Sequence, residues 1–319
     1  MRAALLESFG SLPRPDEVEE PVASNGEALV EVSLGALNPV DIKIASGTFY
    51  GNVPSPPYVP GSEGMGVVRT SERFAPGTRV RFGASRPGVL AELVAAPEDS
   101  LVAVPVAVDD AFAAGIGVAG LAAWGSLRAG RLEAGERVLV LGATGMVGRL
   151  AVQIAQILGA GRVVGAARST AGLESLAGDL GNVGVVALDE RPEAAVAEAI
   201  TEAAGGQVDV VIDPLWGSPA LAALMAAAPR ARLVNLGDSA GTSVELTSAL
   251  LRSKSLSLIG YTNFALPSDV QCSGIEELLG YAGAGKLSLD SEVTALDQVA
   301  SAWERQASSP HRKLLVAMS

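Results

Sequence analysis

Residues 138–160, VLVLGATGMVGRLAVQIAQILGA, restrict the possible folds of this chain more than any other stretch. An apolar run enters the glycine-containing segment Gly142–Gly148 and leaves it as a segment of helical apolar spacing that stops at Gly159. The order is strand, tight turn, helix. Downstream the alternation repeats, with strands expected over 162–166, 183–188, 208–213 and 231–236 and helices over 171–180, 193–203 and 219–228. Apolar strands alternating with Ala-rich helices give a parallel sheet covered on both faces, so residues 118–255 are expected to form a doubly wound α/β domain.

The chain before it reads differently. Short β segments over 2–6, 27–34, 66–69, 79–82 and 90–95 are separated by Pro- and Gly-containing turns, which predicts a mostly β domain over 1–117. PSPPYVPGSEGMG, residues 54–66, is expected to be a loop, because its prolines remove hydrogen-bond donors and its glycines permit bends. A strand over 256–261, a helix over 273–284 and a last strand over 313–317 are expected to return to the first domain as residues 256–319. At 319 residues the chain has length enough for two cores.

Composition excludes several classes. The net charge of −12, with a sequence pI of about 4.7, opposes a broad nucleic-acid or anionic-membrane surface. The uncharged run 111–127 is too short to span a bilayer and is read as a buried helix. Glu7 interrupts the N-terminus before any sufficient apolar stretch, so the expected location is the cytoplasm. With one cysteine, Cys272, and one histidine, His311, no zinc site made of Cys and His can be assembled.

The glycine turn is suited to a dinucleotide. Thr144, Gly145, Met146, Val147 and Gly148 place free backbone N–H groups and a positive dipole end at a helix start, where a pyrophosphate is favoured. Gly145 lets backbone approach the ligand, and Gly148 lets helix and strand pack closely. Ala143 stands where the first glycine of G-x-G-x-x-G is usual, with Gly142 before it. About twenty residues on, where an acid would hold the ribose of NAD, the chain has Arg168, Ser169 and Thr170. A guanidinium with hydroxyl neighbours suits a 2′-phosphate, which points to NADPH; the alternative is a solvated surface arginine.

With Asn38-Pro39-Val40-Asp41, Pro60-Gly61-Ser62-Glu63, Val118-Ala119-Gly120-Leu121-Ala122-Ala123-Trp124, the glycine turn and 233–241, the chain resembles the zinc-independent quinone oxidoreductases of the medium-chain dehydrogenase/reductase superfamily. The resemblance implies a GroES-like catalytic domain, a Rossmann domain, a cleft between them and a homodimer. Zinc-dependent relatives carry Cys where this chain has Asn38 and Gly-His-Glu where it has Gly61-Ser62-Glu63, so neither metal ligand is present. The implied reaction is metal-free hydride transfer from NADPH to a small acceptor, a quinone or an α,β-unsaturated carbonyl.

Under that resemblance Asn38 is the leading donor to an acceptor oxygen or to the nicotinamide, with an Asn-Pro turn as its alternative. Tyr50 is the second catalytic candidate, since relatives carry a tyrosine one residue earlier, at Phe49. Leu236, Gly237 and Asp238, with Tyr261, Thr262 and Asn263, are expected at the nicotinamide half of the cofactor. Asp41 is read as a helix cap, Glu63 as a carboxylate structuring its own loop, and Asp213 as a turn residue or a ligand contact. Lys43, Phe49 and Ala122 depart from frequent Tyr, Tyr and Thr positions. Two competing readings are an enoyl-thioester reductase and a non-enzymatic NADPH-binding protein.

Overall fold

The computed structural model describes residues 1–83 and 88–318. They divide into one unit made of the chain up to Val118 with the chain from Leu266 onward, and a second unit, Ala119–Ala265.

In the second unit the strands Arg137–Leu141, Arg162–Ala167, Val183–Ala187, Val208–Asp213, Ala227–Asn235 and Ser257–Gly260 all pair in parallel. Their spatial order is third, second, first, fourth, fifth, sixth, that of a dinucleotide-binding sheet. The connecting helices bury the sheet on both faces, which is why Leu139, Leu141, Val164 and Val211 are fully enclosed. Local signals set the helix ends: Ser169 caps Thr170–Leu180 by accepting from Gly172 N–H, and left-handed Gly205 stops Glu193–Ala204. The strand Ser257–Gly260 corrects one expectation. It does not rejoin the first unit; Leu258 pairs in register with Leu233, and the strand closes the edge of the parallel sheet. The second unit therefore extends ten residues beyond the expected end at 255.

The first unit is built on a sheet in the order Ser291–Ala295, Lys313–Ala317, Glu27–Ala36, Glu63–Thr70, Arg79–Phe82 and Val102–Ala103, with Leu93–Pro97 also paired to Glu27–Ala36. Val30, Val80, Phe82, Leu90 and Leu314 form its core with Trp303 from the helix Val299–Ala307. The expected loop over 54–66 ends early, because Glu63 already begins a strand. Gly64 and Gly66 lie inside that strand and do not bend it out of the sheet. A Cβ on Gly66 would lie 2.1 Å from the Glu31 carbonyl oxygen, and the register shifts beside it, so glycine here permits a close, irregular strand approach.

The run 111–127 is buried as expected but consists of two helices, Asp110–Gly115 and Gly117–Ala129. The helix expected over 273–284 is longer, Ser268–Gly283, and carries Cys272 within it. Among the described residues no helix is long and apolar enough to cross a membrane.

Candidate functional site

The expected cofactor residues of the second unit all follow the C-terminal ends of its parallel strands, where open α/β sheets bind ligands. After the first strand Gly142 turns the chain at φ +64, taking the role of the usual first glycine one residue early. A Cβ there would lie 3.2 Å from Leu215 Cδ2 and 3.3 Å from Pro214 Cγ, so the turns after the first and fourth strands touch at the point where strand order reverses. The helix Met146–Ile157 starts on Gly145, and no side chain caps it. Gly145, Met146 and Val147 are half-buried, while Gly148 is enclosed. A Cβ on Gly148 would sit 2.3 Å from the Gly142 carbonyl oxygen. Helix and strand cannot pack this closely with any other residue there. On Gly145 a Cβ would meet only that same oxygen, at 3.4 Å, so the outer face of the turn is open. The residues present therefore fit a pyrophosphate: uncapped N–H groups, a helix dipole and a bare backbone face.

Past the second strand, Arg168 is exposed and has no ion pair among the described residues. Ser169 spends its oxygen on the Gly172 amide at 3.0 Å, leaving its O–H as a donor. Gly172 also lies against Thr144, whose Cγ2 would be 2.9 Å from an added Cβ, so the arginine stands next to the glycine turn.

After the fourth strand, buried Asp213 accepts from Leu215 N at 2.9 Å, Trp216 N at 2.8 Å and Asn235 Nδ2 at 3.1 Å. Burial pushes its carboxyl up, and these hydrogen bonds only partly offset that. Asn235 also donates to Gly237 O at 2.8 Å, and Leu236 N–H donates to Asp213 O. Asp213 thus fixes the turn at 214–216 and, through Asn235, the loop carrying Leu236, Gly237 and Asp238. Tyr261 is placed otherwise than expected. Its hydroxyl donates to Leu121 O at 2.9 Å, and Gly125 makes room for it, since a Cβ there would lie 1.9 Å from the oxygen. The ring braces the helix Gly117–Ala129, and burial pushes its phenol up to about 12. Thr262 follows half-buried, and Asn263, 9% exposed, opens a short 3-10 turn.

The first unit holds a second constellation. Pro39 occupies the first turn of the helix Pro39–Ala45, so its N-cap is Asn38, and the expectation for Asp41 is corrected. Asp41 sits at the third helical position and accepts the Asn38 N–H at 2.8 Å, the reciprocal half of a capping box. Its other oxygen accepts from the Ser62 hydroxyl. Burial pushes Asp41 up to about 6 against these bonds and the nearby Lys313 charge.

Glu63 is fully buried, and four donors converge on it. Lys313 Nζ at 2.5 Å and Asn38 Nδ2 at 3.0 Å reach Oε1; Val118 N at 2.8 Å and Arg81 Nη2 at 3.2 Å reach Oε2. Burial alone would raise this carboxyl, but Lys313 and Arg81 outweigh it and hold Glu63 below the usual carboxylate range. Glu63 therefore ties distant elements together and does not merely organise its own loop. Lys313 and Arg81 escaped the sequence reading; a lysine and an arginine inside β segments are the only signals they leave. Tyr50 lies apart from this cluster's burial. It is 79% exposed in a surface loop, its ring 4.6 Å from that of Phe49. Among the described residues no three His, Cys, Asp or Glu side chains are grouped to hold a metal.

Residues 24–106 match the GroES-like domain of alcohol dehydrogenases, and residues 147–279 match the zinc-binding dehydrogenase family. The chain is 30% identical to the quinone oxidoreductase of Rattus norvegicus over 274 residues, covering 83% of this chain and 81% of that one. It belongs to the quinone oxidoreductase-like branch of the medium-chain dehydrogenase/reductase superfamily. This quinone oxidoreductase-like chain is also 32% identical over 313 residues, 95% of its length, to a phenolphthiocerol/phthiocerol polyketide synthase of Mycobacterium tuberculosis. It spans 14% of that much longer protein. The quinone oxidoreductase of Pseudomonas syringae pv. Tomato DC3000 has the same fold, with a TM-score of 0.85 and 26% identity, covering 99% of this chain and 100% of that one. The GroES-like and Rossmann expectations thus hold, together with the mixed α/β class.

Proposed function

We propose that this chain is an NADPH-dependent oxidoreductase that delivers hydride to a quinone or an α,β-unsaturated carbonyl without a metal. The observation that carries the reading is the uncapped, open helix start at Gly145–Gly148 with an arginine that has no ion pair among the described residues, not a carboxylate, beside it after the second strand. Membership in the quinone oxidoreductase-like branch supports the reaction class. Bound there, the dinucleotide supplies the hydride.

The chain's own residues do the rest. Backbone N–H groups of Met146, Val147 and Gly148, beside Thr144, bind the pyrophosphate; Arg168 and the Ser169 hydroxyl take the 2′-phosphate. Leu236, Gly237, Asp238, Thr262 and Asn263 line the nicotinamide half, with Tyr261 supporting them from below. Asn38 donates to the acceptor oxygen and stabilises the charge that develops on it, and Tyr50 is kept as a peripheral contact. A zinc ion does not fit the donor set: Asn38 and Ser62 stand where relatives carry Cys and His, and the Lys313 ammonium is already lodged between Asn38 and Glu63. A homodimer and a cytoplasmic location accompany this reading.

A second reading, an enoyl-thioester reductase, is favoured by the likeness to the polyketide synthase over 95% of the chain. Stopped-flow NADPH oxidation with quinones, enones and enoyl thioesters side by side separates the two. Fastest turnover with quinones or enones is expected. Thioesters as the only substrates would favour the second reading, and tight NADPH binding with no turnover would leave a non-enzymatic binding protein.

A further inference from the structure

We infer that Lys313, together with Glu63, is a positioning device that locks the Asn38 carboxamide in one orientation with a single N–H left over for an acceptor oxygen. The inference rests on the reductase reading above.

Asn38 is only 2% exposed. Its Oδ1 accepts from Lys313 Nζ at 2.5 Å, and its Nδ2 donates to Glu63 Oε1 at 3.0 Å. A carboxamide can usually flip at little cost, but not here. The flipped form would press an NH₂ group against an ammonium and a carbonyl oxygen against a carboxylate. Charge on both sides therefore decides the orientation. Nδ2 carries two N–H groups, and the second has no acceptor among the described residues. A buried donor left unpaired is costly, and native proteins keep such groups where a ligand completes them.

The surroundings are shaped to hold the lock. A Cβ on Gly115 would lie 2.7 Å from Lys313 Cγ, and one on Gly117 would lie 1.4 Å from Arg81 Nη2, so two glycines make room for two buried cations. Glu63 pairs with both cations, and the Lys313 charge also reaches buried Asp41. The backbones are tied as well: Leu37 N–H donates to Leu314 O at 2.9 Å, joining the neighbours of Asn38 and Lys313 directly. Arg81 and Val118 hold the far oxygen of Glu63, so that carboxylate cannot follow Asn38 if the amide turns.

A double-mutant cycle on the full chain tests this, using Lys313→Met, Asn38→Ala and their combination, assayed with NADPH and the best acceptor of the panel. Lys313→Met is expected to lower kcat about tenfold or more while changing the KM for NADPH less than about threefold. In the Asn38→Ala background it should lower kcat no further, although it still lowers the denaturation midpoint. Lys313→Met/Glu63→Gln, which removes this pair of charges but leaves that of Arg81, should recover part of the midpoint and none of kcat. It also serves if Lys313→Met fails to fold. In the wild type itself, one of the two Asn38 side-chain amide protons should shift when a non-reactive carbonyl analogue is added, the other staying in place. Losses that multiply across the cycle, a kcat recovered with the midpoint, or amide protons that move together overturn the inference while leaving the reductase reading intact. Wild-type protein that turns over none of the acceptors overturns both.

Discussion

Replacing Glu63 with alanine is the sharpest perturbation of the first unit. The carboxylate is fully buried and receives four hydrogen bonds, two of them from cations that are themselves 3% and 6% exposed. Its removal strands both cations, and breaking a buried pair in this way costs about 3–5 kcal/mol. Domains are stable by only about 5–15 kcal/mol, so the loss is a large part of the whole. The sign of the pH dependence follows from the depressed carboxyl. Its contribution is present above the ordinary carboxylate range and is lost as pH falls through the folded-state value, so wild type and Glu63→Ala should converge in acid. Urea titration followed by fluorescence of Trp303, buried in the first unit, reads this directly once Trp124 and Trp216 are changed to Phe. Adding Lys313→Met should return part of the loss, because one stranded charge is then gone. A cost below about 1 kcal/mol, or the same cost at every pH, would show that the cluster is hydrated and carries little energy.

Arg168 is exposed and has no ion pair among the described residues, so Arg168→Ala should leave the fold untouched and reduce NADPH affinity about tenfold or more, with NADH little changed; calorimetric titration of both cofactors checks it. Gly148→Ala places a Cβ 2.3 Å from the Gly142 carbonyl oxygen, which should cost about 1–3 kcal/mol and weaken NADPH binding, read by thermal denaturation and titration. Elemental analysis should find no stoichiometric zinc, and chelators should leave turnover unchanged; one zinc per chain would contradict the donor set at Asn38, Ser62 and Lys313.

What was legible in the sequence was local. The stretch 138–160 announces strand, turn and helix because each depends on neighbours a few residues away, and the structure returns them at Arg137–Leu141 and Met146–Ile157. Asn38 as a cap was also written locally, in the proline that follows it, but Asp41 outcompeted it as the more familiar acidic cap. The residues of the edge strand Ser257–Gly260 do not say which sheet receives it; the match of Leu258 to Leu233 does. Glu63 was visible, yet its partners Arg81 and Lys313 stand 18 and 250 residues away. No periodicity or spacing rule links such positions. Only the closing of the sheet, with Lys313–Ala317 laid against Glu27–Ala36, brings them together.

Asp41 lets the electrostatics of that cluster be tested from the opposite side. Burial has moved its carboxyl from 3.8 to about 6, whereas Glu63 has moved down. A raised carboxyl contributes stability below its unfolded value and loses it as pH rises through the folded one. The shift corresponds to roughly 3 kcal/mol. Asp41→Asn cannot ionise, so its stability relative to wild type should improve by up to about 3 kcal/mol between about pH 4 and pH 7. The absolute values will both be lower, since an Asn oxygen can accept from Ser62 or from the Asn38 amide but not both. The slope of the difference is therefore the quantity to measure, by urea denaturation at closely spaced pH values. A flat difference would mean that Asp41 stays ionised throughout, with Ser62, the Asn38 amide and Lys313 outweighing its burial.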